Sequence, residues 1–290
     1  MESKTANVEM RKSLRNEVSR FYRRDKRIWK QPIVDMLRTL QEANTEAVFF
    51  GGTLRSLLIS RLLGNKQGRP RDIDIVVSGN SVDEIKEIVK DKIERETRFG
   101  GLKVQEANWE FDLWPLEKTW AFVKDDEAHR EFSELPKTTF FNMEAIAVEV
   151  WPKPGKARKV FAGNNQFFNG IRERVLEINR EENPYPSLCV VRGLIMASGL
   201  GFDLGPKLTK YIASHGDGLT LSEIEEVQRA HYGSQRRMST ELKSWISHVA
   251  EAHVKRPSSN SSLPVKRQKE LWPGKPLGSK VCIHAIKSEN

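Results

Sequence analysis

The stretch from Val48 to Ser78, VFFGGTLRSLLISRLLGNKQGRPRDIDIVVS, constrains the fold of this chain more than any other. An apolar run, Val48–Phe50, meets Gly51-Gly52, after which Leu54, Leu57, Leu58, Leu62 and Leu63 recur at helical spacing. A polar, basic loop from Gly64 to Arg71 leads to Asp72-Ile73-Asp74-Ile75-Val76-Val77. The order predicts strand, glycine turn, helix, loop and strand. Alternate residues of a strand share a face, so Asp72 and Asp74 point one way while Ile73 and Ile75 enter a core. Two carboxylates side by side repel each other unless a cation lies between them, and a pair of Mg²⁺ ions supplies that cation. The glycines allow close backbone approach, N–H groups at a helix start suit phosphate, and Arg55 adds a fork of donors for the same anion. The stretch thus predicts a metal-dependent nucleotide site. The competing reading is an ordinary turn beside a solvated strand end.

A third acid is sought on a neighbouring strand. Two strand-like runs follow, Leu102–Gln105 and Trp109–Trp114. In the second, Trp109, Phe111 and Leu113 share one face, and Glu110, Asp112 and Trp114 the other. Asp112 is the expected third carboxylate, with Glu110 in reserve. Between the aspartate pair and these runs, Ser81 and Glu84 form a capping box for a helix that turns Ile85, Ile88, Val89 and Ile93 inward.

At 290 residues the chain can bury a substantial core in one or two domains. Hydrophobic content of 38% points to a soluble globular protein. No apolar run approaches the ~20 residues of a membrane helix, and MESKTANVEMRK does not read as a signal peptide. Cys189 and Cys282 suggest no disulfide framework, and a cytoplasmic location is expected. The net charge of +9 lies at the ends: residues 1–45 hold 11 Lys and Arg against 6 Asp and Glu, and residues 254–290 hold 8 against 2. Basic arms around a nearly neutral centre suit a phosphate-rich acceptor such as RNA; solvated surface is the plainer alternative.

GGTLR followed by DID resembles the signature of the class II nucleotidyltransferases, the group holding bacterial CCA-adding enzymes and poly(A) polymerases. There the pattern is GGxVRD, a short helix, then DxD; Ser56 stands where the family has Asp. The resemblance covers about residues 45–215. It implies an α+β fold: an N-terminal mixed sheet flanked by helices, of the DNA polymerase beta-like kind, followed by a small all-helical neck. The expected division is a basic helical lead-in (1–45), a catalytic head (46–180), a neck (181–254) and a basic linker and tail (255–290). The resemblance also implies a nucleoside triphosphate over Gly51, Gly52 and Arg55, Mg²⁺ ions on Asp72, Asp74 and Asp112, and an RNA 3′ end as acceptor. Asp112 would help deprotonate the attacking hydroxyl.

The family's nucleotide-selecting motifs are altered. Aligned on Ala145-Ile146-Ala147, the sugar-contacting motif RRDFTINALA has Thr138 and Thr139 at its arginines, Phe140 at its Asp and Glu144 at its Asn. Thr138–Trp151 itself alternates as one strand. Aligned on Leu200-Gly201-Phe202, the base-selecting helix keeps Arg192, but has Cys189 at its preceding Arg and Tyr185-Pro186 at its acidic pair. Helices after Pro206 are expected to carry Leu208, Tyr211, Ile212, then Met238, Leu242, Trp245, Ile246 and Val249, with Ser222 and Glu225 capping the middle one. Two alternatives stay open: transfer to a small molecule or protein hydroxyl, and a non-catalytic RNA-binding protein on the same scaffold.

Overall fold

The computed structural model describes residues 2–23, 31–64, 70–97, 99–125 and 129–264. The chain divides into two units, 1–139 with 143–167, and 140–142 with 168–290. The basic tail after residue 264, with Cys282, lies outside the described residues, as does most of the loop before Arg71.

The first unit opens with helices α1 (Glu2–Arg23) and α2 (Gln31–Glu42). There follow β1 (Glu46–Phe50), α3 (Gly51–Leu62), β2 (Asp72–Ser78), α4 (Val82–Val89), β3 (Ile93–Glu96), β4 (Leu102–Glu106), β5 (Trp109–Pro115), α5 (Trp120–Lys124), β6 (Ala147–Glu149) and β7 (Val160–Phe161). Among the described residues these strands form a seven-stranded sheet in the order β3-β4-β5-β2-β1-β6-β7. β2 and β5 run parallel, and the other neighbours are antiparallel.

The sheet's two faces are finished differently. On one, Phe49, Ile73, Ile75, Trp109 and Phe111 are buried. Helix α1 turns Met10, Leu14, Val18 and Phe21 inward, and Phe21 meets Phe49 and Trp109 edge to face at 6.0 and 6.2 Å. Burying such a side chain contributes about 1.5–3 kcal/mol. Phe21 is thus part of the core beneath the sheet. Arg11 is also spent on the fold, donating to Val160 O at 2.9 Å and to Asn165 Oδ1 at 2.6 Å.

The other face carries a second apolar cluster at one end. Val48, Val76 and Ala147 pack with Leu116, Phe122 and Leu135, which come from the segment after β5. Asp72 and Asp74 share Val76's face by the two-residue period of the strand, at the end away from that cluster.

Two local expectations need correction in this unit. Ile93 is not on the helix of Ile85 and Val89: α4 ends at Val89, a single 3₁₀ turn takes Lys90–Lys92, and Ile93 begins β3. The Ser81–Glu84 capping box is present, with Ser81 Oγ accepting from Glu84 N at 3.2 Å. Thr138–Trp151 is not one strand, since only Ala147–Glu149 pairs in the sheet, after 3₁₀ turns at Leu135–Thr138 and Asn142–Glu144. The alternation before Ala147 reflects burial outside that sheet. Asn142, grouped with the second unit, explains the break: its backbone N–H donates to Glu177 O at 2.9 Å and its side chain to Val175 O at 3.0 Å.

The second unit contains α6 (Gln166–Glu173), which starts two residues before it, then β8 (Val175–Leu176), α7 (Pro186–Leu200), β9 (Asp203–Leu204), α8 (Pro206–Gly216), α9 (Leu221–Tyr232) and α10 (Ser239–Lys255). Pro186 opens α7 and Gly201 closes it at φ +65°, the left-handed cap that glycine adopts without strain. The box that starts α9 is Thr220 with Glu223, not Ser222 with Glu225. Met238 precedes α10 and is exposed, whereas Leu242, Trp245, Ile246 and Val249 are buried. No described helix is long and apolar enough to cross a membrane.

Candidate active site

The glycine turn joins β1 directly to α3. Gly51 sits at φ +55°, a conformation that costs other residues about 1 kcal/mol or more. Its N–H donates to Ile146 O at 3.0 Å, so this amide serves the sheet rather than an anion. A side chain on Gly52 would meet Arg55 Nη2 at 3.5 Å and Asp74 Oδ2 at 3.6 Å, so glycine keeps a narrow space between cation and carboxylate. Thr53, wholly buried, ties this turn to the acidic strand. Its hydroxyl donates to Asp72 O at 3.3 Å and accepts from Asp74 N at 3.2 Å.

Strand register then assembles the acids. In the parallel pair, Asp72 lies opposite Glu110 and Asp74 opposite Asp112. Carboxylate oxygens of Asp72, Glu110 and Asp112 all lie within 4.8 Å of one another, the grouping among the described residues that could hold a metal ion. Hard carboxylate oxygens in this number fit Mg²⁺, Mn²⁺ or Ca²⁺ better than a softer metal. Asp74 stands beside this group, against the glycine turn. Asp112 and its expected reserve, Glu110, are thus both present, because residues two apart on β5 share a face.

Cations thread through the acids. Arg71 donates to Asp72 Oδ2 from Nε at 3.0 Å and also from Nη2. Arg55 Nη1 lies 3.4 Å from Glu144 Oε1. Lys103, on β4 opposite Asp112, pairs with Glu110 and with Asp112 Oδ1 at 2.7 Å. Neither Lys103 nor Glu144 was singled out from sequence as part of the site. Nothing in the β4 sequence LKVQE marks Lys103 for the site, since its place there depends on the pairing of β4 with β5.

The electrostatics follow from this crowding. Burial pushes the Asp74 carboxyl well above the usual carboxylate range, and the charges of Asp72, Asp112 and Glu144 add to the shift, while Arg55 opposes it. Burial also raises Asp112; Lys103 counters it by hydrogen bond and charge, and Asp72 and Glu110 push it further up. For Lys103, burial acts to lower the pKa, but Asp112 and Glu110 outweigh it and the net shift is upward.

Arg192 lies on α7 in the second unit, with its guanidinium 5.6 Å from the centre of the Phe141 ring. Cys189 is buried on the same helix, and Tyr185 precedes it, partly exposed.

The chain matches no family model. It is similar to the curated CCA-adding enzyme of Streptococcus agalactiae serotype V, 23% identical over 200 residues, which are 67% of this chain and 47% of that enzyme. It is 25% identical to the CCA-adding enzyme of Lactobacillus johnsonii, with the same coverage. The chain thus spans about half the length of the curated relatives it matches. Among solved structures, an apo form of a CCA-adding enzyme is similar with a TM-score of 0.51 at 16% identity, covering 77% of this chain and 52% of that one. The Bacillus stearothermophilus CCA-adding enzyme in complex with CTP gives 0.50 at 17% identity, covering 77% and 52%. At such identities the structural likeness is one of fold. In sequence over two-thirds of its length, and in fold, the chain resembles the class II nucleotidyltransferases, the family that holds the CCA-adding enzymes.

Proposed function

We propose that this protein is a Mg²⁺-dependent nucleotidyltransferase that moves a nucleoside monophosphate from a triphosphate to the 3′ hydroxyl of an RNA. The observation that carries this reading is the register of β2 and β5, which gathers Asp72, Glu110 and Asp112 beside a glycine turn and Asp74. The relatives that bear the CCA-adding name, one of them solved with CTP, support it.

Asp72, Glu110 and Asp112 would hold the ion, with Asp74 beside them. When bound, Mg²⁺ neutralises phosphate charge and stabilises the charge that develops on the oxygens of an in-line displacement. The chain's own groups do the rest. Gly51 and Gly52 leave room for the triphosphate against the start of α3, and Arg55 faces it from the same turn. Asp112 accepts the proton of the attacking hydroxyl. The new bond joins the acceptor oxygen to the α-phosphorus, the bond to the bridging oxygen breaks, and pyrophosphate leaves. Positioning and fixed charge supply the catalysis. In this reading Arg192 contributes to binding the nucleotide, and the protein works in the cytoplasm.

The changed selection residues favour a nucleotide choice other than the C, C, A order. Phe140, Cys189 and Tyr185-Pro186 offer no acid–arginine pair for reading a base edge. Incubation with each labelled triphosphate, Mg²⁺ and total RNA tests the function: label should appear at RNA 3′ ends with at least one triphosphate. Label on a small molecule or protein would reassign the acceptor, and no label on any acceptor would favour the non-catalytic alternative.

A further inference from the structure

We infer that Lys103 is a resident cation of the acid cluster, taking the place of one of the two metal ions that the paired aspartates led us to expect. The inference rests on the metal-dependent reading above and refines it. Lys103 projects from β4 directly across from Asp112, and its ammonium pairs with both Glu110 and Asp112. Its side chain is only 14% exposed, so the charge is held inside the cluster rather than drawn off by solvent. With Arg71 on Asp72, all three grouped acids already face a cation, and an entering ion meets the Lys103 ammonium on two of them.

The charges of the named groups agree. Asp72, Asp74, Glu110, Asp112 and Glu144 stand against Arg55, Arg71 and Lys103. Each cation already seated among these carboxylates lessens the charge that draws in a metal ion, and Lys103 does so at Glu110 and Asp112 directly. A tethered ammonium differs from a metal ion in two ways that matter here. It needs no octahedral set of ligands, and it cannot be removed by a chelator. The site then keeps Asp112 oriented, and partly neutralised, when no metal is bound.

The test counts Asp72-dependent Mn²⁺ ions by electron paramagnetic resonance on the full chain, as the difference between each protein and its Asp72→Asn counterpart. We expect one such ion for the unsubstituted chain. Lys103→Met should show two, or one bound at least ~10-fold more tightly, because a like charge at contact distance has been removed. Lys103→Arg, which keeps the charge, should still show one; Lys103→Gln serves if the Met variant does not fold. Two Asp72-dependent ions in the unsubstituted chain would overturn the inference while leaving the metal-dependent reading intact. So would Lys103→Met or Lys103→Gln with unchanged stoichiometry and affinity. No Asp72-dependent Mn²⁺ in any of these proteins would overturn both.

Discussion

Asp74 and Asp112 face each other in register across the parallel pair β2 and β5, and Asp72 faces Glu110 one step along. Parallel strands in register bring side chains of equal offset to the same level, so carboxylates 38 residues apart in sequence share one patch of sheet. Such a patch is a strain on the fold unless a cation binds it. Replacing Asp72 or Asp112 by Asn should therefore cut transfer by at least ~10²-fold, the scale of a lost general base or charge clamp. Melting temperatures of both variants should stay close to that of the parent. Activity within about tenfold of the parent in both, ~1.4 kcal/mol of barrier, would remove the site from where we put it.

Glu110 is expected to matter as much. It belongs to the same group of oxygens as Asp72 and Asp112, and it shares Lys103 with Asp112. Glu110→Gln should lower turnover by ~10²-fold as well, on the same scale of a lost acid. A Glu110→Gln enzyme with full turnover would leave Asp112 as the sole third acid.

Asp74 supplies a prediction about pH. Its folded-state pKa lies well above the usual carboxylate value. The folded protein thus holds a proton there that the unfolded chain has released. The stability from this group is fully present below the unfolded pKa and is lost as pH rises through the folded one. In metal-free buffer, Asp74→Asn should therefore raise the melting temperature near pH 7, with the gain shrinking as the pH is lowered towards 4. A loss of stability at neutral pH, or a gain that grows on acidification, would contradict the burial and charge crowding assigned to Asp74.

Thr53 gives a test independent of metal. Thr53→Val keeps the volume but leaves the Asp74 N–H without the hydroxyl it donates to. An unsatisfied buried donor costs about 1–3 kcal/mol, which chemical denaturation would read directly. Thr53→Ser should restore most of it. Equal stability of the Val variant and the parent would mean that the turn and the acidic strand are held together by packing alone.

Much of this was legible in the sequence, for reasons that can be named. Period two placed Asp72 and Asp74 on one face with Ile73 and Ile75 on the other, and the capping pair Ser81 and Glu84 located the start of α4. Which strand lies beside β2 is not a local property, so periodicity alone could offer both Glu110 and Asp112. Register decides that both belong. Lys103 was invisible for the same reason, since its role exists only because β4 pairs with β5. The misreading of Thr138–Trp151 has a different cause. Apolar alternation reports burial without saying whether the sheet provides it, and Phe140, Phe141 and Met143 are buried outside the seven-stranded sheet.

The most direct test of the central claim offers the parent protein and its Asp72→Asn variant an RNA bearing a free 3′ hydroxyl, with α-labelled triphosphates and Mg²⁺, and follows label at the RNA 3′ end. The account predicts end-labelling by the parent with release of pyrophosphate, abolished by chelator and reduced at least ~10²-fold in the variant. Equal labelling by parent and variant, or none by the parent with any of the four triphosphates, would contradict it.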